Sequence, residues 1–118
     1  GAGVFCVVRA SKGVLWATPE IKALYHTAIA EAVAVAQAKG IALEDSVPDE
    51  HLALLDTFPP EWRPSMLVAL EQGNRLELEA LQGAICTMGR EAGVPTPVAD
   101  YIYACLKPYV DGRPQGVN

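Results

Sequence analysis

A chain of 118 residues, 51% of them apolar and only 7% aromatic, fits one domain with a real core and leans to helix, because alanine and leucine lose little on entering one. Its net charge of −5 excludes the clustered Lys and Arg that a nucleic-acid surface needs. No apolar run approaches the eighteen or so residues of a spanning helix, and no basic start precedes an apolar core as in a signal peptide.

The first element is ambiguous. Val4-Phe5-Cys6-Val7-Val8 is β-rich and reads locally as a buried strand. No second strand candidate follows, and a strand needs a partner, so residues 4 to 10 are assigned to a helix. Gly1-Ala2-Gly3 resembles the start of a dinucleotide fingerprint but fails it: no strand precedes, position 6 is cysteine, and no βαβ unit follows. The chain opens without a capping residue, which suggests a piece of a longer protein.

Thr18 suits an N-cap, Pro19 the first helical position, and Glu20 the positive helix end. Ile21, Leu24, Tyr25, Ala28, Ala32, Val35 and Ala36 recur at helical spacing until Gly40, with Ile29 and Val33 widening the apolar face. A helix apolar over so much of its circumference belongs at the centre of a bundle. Glu31 interrupts it and reads as a solvated or locally paired acid. A third helix opens at Ser46-Val47-Pro48, carries Leu52 and Leu55, and stops at Pro59-Pro60. A fourth runs from about Ser65 to Gln72, with Gly73 beyond its end.

In the fifth, Asn74 and Glu77 stand at capping-box spacing, and Leu81, Ala84, Ile85 and Met88 form the expected buried stripe up to Gly93. Thr96-Pro97 starts the sixth, with Val98, Tyr101, Ile102 and Cys105 inward; the tail from Gly112 is expected to fray. The spacing predicts one all-α domain over residues 1–118, a bundle of about six helices.

His26 and His51 lie on different helices without metal-ligand spacing and read as ordinary surface histidines; no metal site is expected. Cys6, Cys86 and Cys105 show no C-x-x-C spacing and read as reduced, buried thiols of a cytoplasmic protein. Ser65 is explained as an N-cap and Glu77 as the far half of a capping box. Counting four, seven and eleven residues on from Glu77, however, reaches Leu81, Ala84 and Met88, so this carboxylate continues an apolar stripe toward the rim of the core. Glu79 should face water. Rims between helices are where ligand clefts form.

Several pieces in order carry a family likeness: Gly13-Val14-Leu15 before the long helix, Ser65-Met66, Glu71-x-Gly73, Glu77-x-x-x-Leu81-x-Gly83, Gly89-x-x-x-Gly93-Val94-Pro95-Thr96-Pro97 and Tyr103-x-x-Leu106-Lys107. Together they resemble the C-terminal domain of the ketopantoate reductase (2-dehydropantoate 2-reductase) family. The resemblance implies a 6-phosphogluconate-dehydrogenase-like helical domain behind a Rossmann domain that binds NADP and is absent from these residues. It implies reduction of a small 2-oxoacid, ketopantoate to pantoate on the route to pantothenate, with hydride from NADPH and a lysine protonating the alkoxide. Ser65 is then substrate-binding; Glu77 is cofactor-binding, on the ribose, and holds the catalytic geometry.

There are departures. The family's catalytic lysine falls before Gly1, a polar substrate ligand falls on Ala2, and Lys12, read as solvated, stands before Gly13. A non-catalytic helical interaction or dimerisation module is therefore the competing reading.

Ser65 and Glu77 are expected to open onto one groove. Val4, Phe5 and Val8 are expected to be uncovered and to favour a homodimer. Lacking both phosphate loop and general acid, these 118 residues alone should leave NADPH unoxidised in the presence of any 2-oxoacid; turnover above background would refute that expectation.

Overall fold

The β-rich run at the start of the chain is helical. In the computed structural model, which describes residues 1–117, α1 (Ala2–Val8) packs against α5 (Ser65–Gln72), α7 (Pro97–Leu106) and α3 (Pro19–Ala38). Val4, Phe5 and Cys6 are completely buried, and Val8 partly so. The expectation of an uncovered apolar patch at Val4 and Phe5 is therefore wrong. Helices on several sides of α1 cover it, and that burial outweighs the weak strand preference of its residues. The ring of Phe5 meets Tyr25 and Trp62 edge-on, at centroid distances of 5.8 and 5.5 Å. Arg9 ends the helix in the left-handed region (φ 59°), its guanidinium 4.8 Å over the Tyr109 ring.

A short helix that the residue pattern did not suggest, α2 (Lys12–Trp16), follows. The Gly13 amide donates to the Pro60 carbonyl at 2.7 Å, and a Cβ on Gly13 would stand 3.0 Å from the Pro60 ring. This clamp brings Lys12 to the C-terminal end of α4 (Val47–Asp56). Its ammonium donates to the carbonyls of Phe58 (3.1 Å) and Asp56 (3.5 Å), and the residue is only 9% exposed. Lys12 is thus not solvated: it serves as a cationic cap for carbonyls at a helix end.

Glu31 is also corrected. At 8% exposure its carboxylate accepts hydrogen bonds from the amides of Val98 and Ala99, both at 2.9 Å. These are first-turn donors of α7, so the cap comes from α3 rather than from a neighbouring residue. The Thr18 hydroxyl, in turn, makes no cap and donates to the Val14 carbonyl at 3.1 Å.

The capping box at Asn74 and Glu77 does not form. α5 ends in a left-handed Gly73 (φ 73°), and the chain stays non-helical through Glu77. Leu76 and Leu78 both point into the core, and the Leu76 amide donates to the Val110 carbonyl at 2.9 Å. Two buried leucines two residues apart, with Arg75 and Glu77 exposed, do not follow the pattern of one helix face. Helical geometry resumes as a π turn (Glu79–Gly83), in which the Gly83 amide reaches the Leu78 carbonyl at 2.9 Å, and continues as α6 (Ala84–Ala92).

The buried face of this region is one residue out of phase with expectation: Leu78, Gln82, Gly83, Cys86 and Gly89 are inward. Leu81 and Met88 are 48% and 37% exposed, while Ala84 and Ile85 are half-buried. Close approach explains this. A Cβ on Gly83 would lie 3.1 Å from the Tyr103 ring, and one on Gly89 2.8 Å from the Thr96 methyl. At these close approaches the inward positions are glycines, while the large apolar Leu81 and Met88 lie on the outward face. In α7 the inward residues are Ala99, Ile102 and Leu106; Tyr101, expected inward, is 62% exposed, and Cys105 is half-buried. The chain then makes a 3-10 turn (Lys107–Tyr109). The tail does not simply fray, since Arg113 donates to the Glu71 carbonyl at 3.1 Å.

Seven α-helices with a π and a 3-10 turn make an all-α bundle, and no strand occurs among the described residues. Truncating Glu31 to alanine should cost about 2–3 kcal/mol of folding stability by leaving two amides of α7 without their acceptor. Urea denaturation of Glu31→Ala beside Glu20→Ala would check this; equal midpoints would remove Glu31 from its capping role.

Candidate functional site

Ser65 is the first helical residue of α5, and Pro64 occupies the N-cap position. The simple capping explanation for the serine is therefore wrong. No side-chain hydrogen bond caps α5, and Ser65 is exposed. Glu77 is exposed on the non-helical segment after Gly73.

The two side chains do share a groove. Ser65, Met66, Ala69, Arg75, Leu76, Glu77 and Leu81 line one shallow cavity of about 250 Å³. A second depression of about 340 Å³ shares Met66 and Leu81 with it and reaches Gly1, Ala2 and Gly3 at the start of α1. The combined groove has a largely apolar floor and a few polar groups on its walls, the usual make-up of a small-molecule site. Its α1 end carries no hydrogen-bonding side chain at positions 1 to 3.

Two glutamates two residues apart have different surroundings. Glu79 is exposed, as expected, but it is engaged. The Tyr103 hydroxyl donates to both carboxylate oxygens (2.8 and 2.9 Å), and the Lys107 ammonium bonds the same group. Hydrogen bonds from Lys107 and Tyr103 hold its pKa below the ordinary 4.5, and Glu79 in return raises that of Lys107. This triad ties the π turn to α7. Glu77 makes no ion pair among the described residues and faces the groove.

Sequence reasoning missed Arg75 and the groove-lining role of Leu81. Arg75 could have been found by treating 74–78 as extended, since residues two apart then share a side. The histidines lie elsewhere. His51 meets the Tyr25 hydroxyl at 2.8 Å and stacks on its ring, and burial lowers its pKa while raising that of Tyr25 to about 12. His26 pairs with Asp49 at 2.9 Å. Among the described residues no group of three His, Cys, Asp or Glu side chains could hold a metal ion.

This helical architecture is shared with dehydrogenase domains. The chain superposes on D-mandelate dehydrogenase, solved with NADH and anilino(oxo)acetate, with a TM-score of 0.80 over 92% of this chain and 60% of that one, at 22% identity. That likeness speaks for the fold. Residues 2–110 match the family model of the ketopantoate reductase PanE/ApbA C-terminal domain, and the chain belongs to that family. It is 31% identical over 108 residues to 2-dehydropantoate 2-reductase of Mycobacterium tuberculosis, covering 92% of this chain and 37% of that protein. The dimeric ketopantoate reductase of Staphylococcus aureus, described as kinetically cooperative, superposes with a TM-score of 0.86 at 29% identity, over 92% of this chain and 38% of that one. The chain thus spans well under half the length of these relatives.

The Glu79 triad predicts a pH dependence. A carboxylate whose folded pKa is lowered stabilises the fold above its unfolded pKa and loses that contribution as pH falls through the folded value. The Tm gap between the wild type and Glu79→Gln should be present at neutral pH and close in acid. A gap independent of pH would mean that charge at Glu79 contributes nothing.

Proposed function

We propose that residues 1–118 are the substrate domain of an NADP-dependent 2-oxoacid reductase, 2-dehydropantoate 2-reductase or a close paralogue, completed by an N-terminal Rossmann domain in the parent protein. One observation carries the reading. In a chain of this family, Ser65 and Glu77, to which the resemblance gives substrate and cofactor contacts, open onto one groove, and neither serves as a helix cap.

The residues fit their assigned ligands. Glu77, an exposed carboxylate on the rim, can accept hydrogen bonds from the ribose hydroxyls of the cofactor. Ser65 can donate to an oxygen of the substrate, and Met66, Ala69, Leu76 and Leu81 offer apolar contact to its body. The start of this chain is helix rather than a glycine loop, so the cofactor phosphates are assigned to the Rossmann domain. The bound nicotinamide supplies the hydride. We assign protonation of the resulting alkoxide to a lysine of the parent protein outside these residues, as the resemblance implies.

The free state of Cys6, Cys86 and Cys105 suits the cytoplasm, where pantothenate synthesis would place the enzyme. No helix among the described residues is long and apolar enough to cross a membrane. A homodimer is consistent with the dimeric S. aureus relative, but its interface is not assigned to α1, whose apolar residues lie in the core.

In the full-length enzyme, Glu77→Gln should lower kcat/KM by about ten- to a hundredfold, the equivalent of roughly 1.5–3 kcal/mol for one charge-assisted contact. Glu79→Gln should leave kcat/KM near the wild-type value and reduce mainly stability. Steady-state kinetics with ketopantoate and either NADPH or NADH would check the substrate and the cofactor together. Equal loss in the two variants would return Glu77 to a structural role, and no reduction of any 2-oxoacid would overturn the function.

A further inference from the structure

We propose that Arg75 is the carboxylate-binding residue of the groove and sets its preference for a 2-oxoacid over an uncharged ketone. The proposal rests on the function given above and adds a residue and a ligand chemistry to it.

Eight of the nine basic residues already have partners. Lys22, Lys39, Lys107 and Arg63 are paired with acids, and Lys12 and Arg113 donate to carbonyls. Arg9 lies over the Tyr109 ring, and Arg90 reaches the Thr87 hydroxyl. Among the described residues Arg75 alone has no ion pair, hydrogen bond or ring partner. An unpaired surface arginine is commonplace; one lining a groove beside a candidate substrate serine is not.

Its position is fixed from behind. Leu76 is buried, and its amide is bonded to the Val110 carbonyl, so the backbone that presents Arg75 and Glu77 to the groove is held from both sides of the chain. The two side chains share two cavities yet form no ion pair within 4 Å, which leaves each available to a ligand. Arg75 and Ser65 can donate, and Glu77 only accepts. A carboxylate matches the two donors, whereas a second anion near Glu77 would be repelled. A hydroxyl-bearing group suits that end instead.

A guanidinium can engage both carboxylate oxygens at once, and the apolar floor beside it suits a ligand whose body is apolar. Among the side chains that line the two depressions, Gln82 is a neutral donor and Arg75 is the cation. The ligand chemistry that follows is a monocarboxylate with a short apolar body; the ketone next to the carboxyl comes from the reductase reading on which this proposal rests.

The test uses the full-length enzyme, ketopantoate and the corresponding uncharged amide as alternative substrates, with Arg75→Gln and Arg75→Lys as variants. For Arg75→Gln, KM for the acid should rise about ten- to a hundredfold, as expected on losing a hydrogen bond between charged groups. KM for the amide, KM for the cofactor and Tm should stay at wild-type values, and the preference for acid over amide should disappear. Arg75→Lys should restore part of the preference, because it keeps the charge but not the planar fork. Unchanged KM for the acid in Arg75→Gln, or equal losses on acid and amide, would overturn the role of Arg75 while leaving the reductase reading intact. A wild-type enzyme that reduces no 2-oxoacid would overturn both.

Discussion

The enclosure of α1 fixes α5 and α7, the helix that carries Ser65 and the helix to which the π turn is tied. Val4, Phe5 and Cys6 have no exposure, and a Cβ on Gly3 would stand 2.5 Å from an Ile102 methyl, so α1 and α7 meet almost backbone to side chain. α5 packs against the same helix, which aims its first turn, and Ser65 with it, past the start of α1. A bulkier residue at position 3 would push α7 away and open the interface that the core is built around. The site is thus a consequence of packing: its serine is placed by a helix that has to contact α1.

Two buried charges complete the scaffold, and both act at helix ends far away in sequence. Lys12 satisfies carbonyls at the end of α4, and Glu31 satisfies amides at the start of α7. A buried charge without partners would be strongly destabilising, but each of these meets backbone groups carrying the opposite partial charge. They also choose a register. A helix whose first amides must meet one carboxylate on α3 cannot slide by a turn without losing both hydrogen bonds. That fixes α7, and with it the Tyr103 and Lys107 side chains that hold the π turn.

The parts of this fold legible in the sequence are those governed by local chemistry. α5 begins at Ser65 and ends before Gly73 as its residues imply, and the long α3 follows Pro19 as expected. Long-range partners were not legible. Nothing near Glu31 or Lys12 announces a helix end brought there by tertiary packing, and the solvated reading of each failed for that reason. Periodicity misled most over residues 77–88. It assumes that the apolar face is the inward face, but Gly83 and Gly89 pack inward because neighbouring elements come too close for anything larger. The stripe through Leu81 and Met88 is real, and it faces outward. For the site, the shared groove of Ser65 and Glu77 was correctly anticipated, although the argument for Glu77 relied on a helix that does not begin until two residues later.

That later start separates the two glutamates by function. Had the helix begun at Asn74, Glu77 would have been drawn back toward the backbone amide it was expected to cap, and Arg75 would have lain in the first turn. The non-helical stretch instead buries Leu76 and Leu78, while Arg75 and Glu77 are exposed and line the groove. The π turn then takes up the change of geometry before α6, and π turns inside helices are common where a chain departs from regularity at a functional site. Tyr103 and Lys107 engage Glu79 at the first residue of that turn and pin it to α7. The two acids are thus divided: Glu79 ties the π turn to α7, and Glu77, two residues earlier, lines the groove without an ion pair among the described residues.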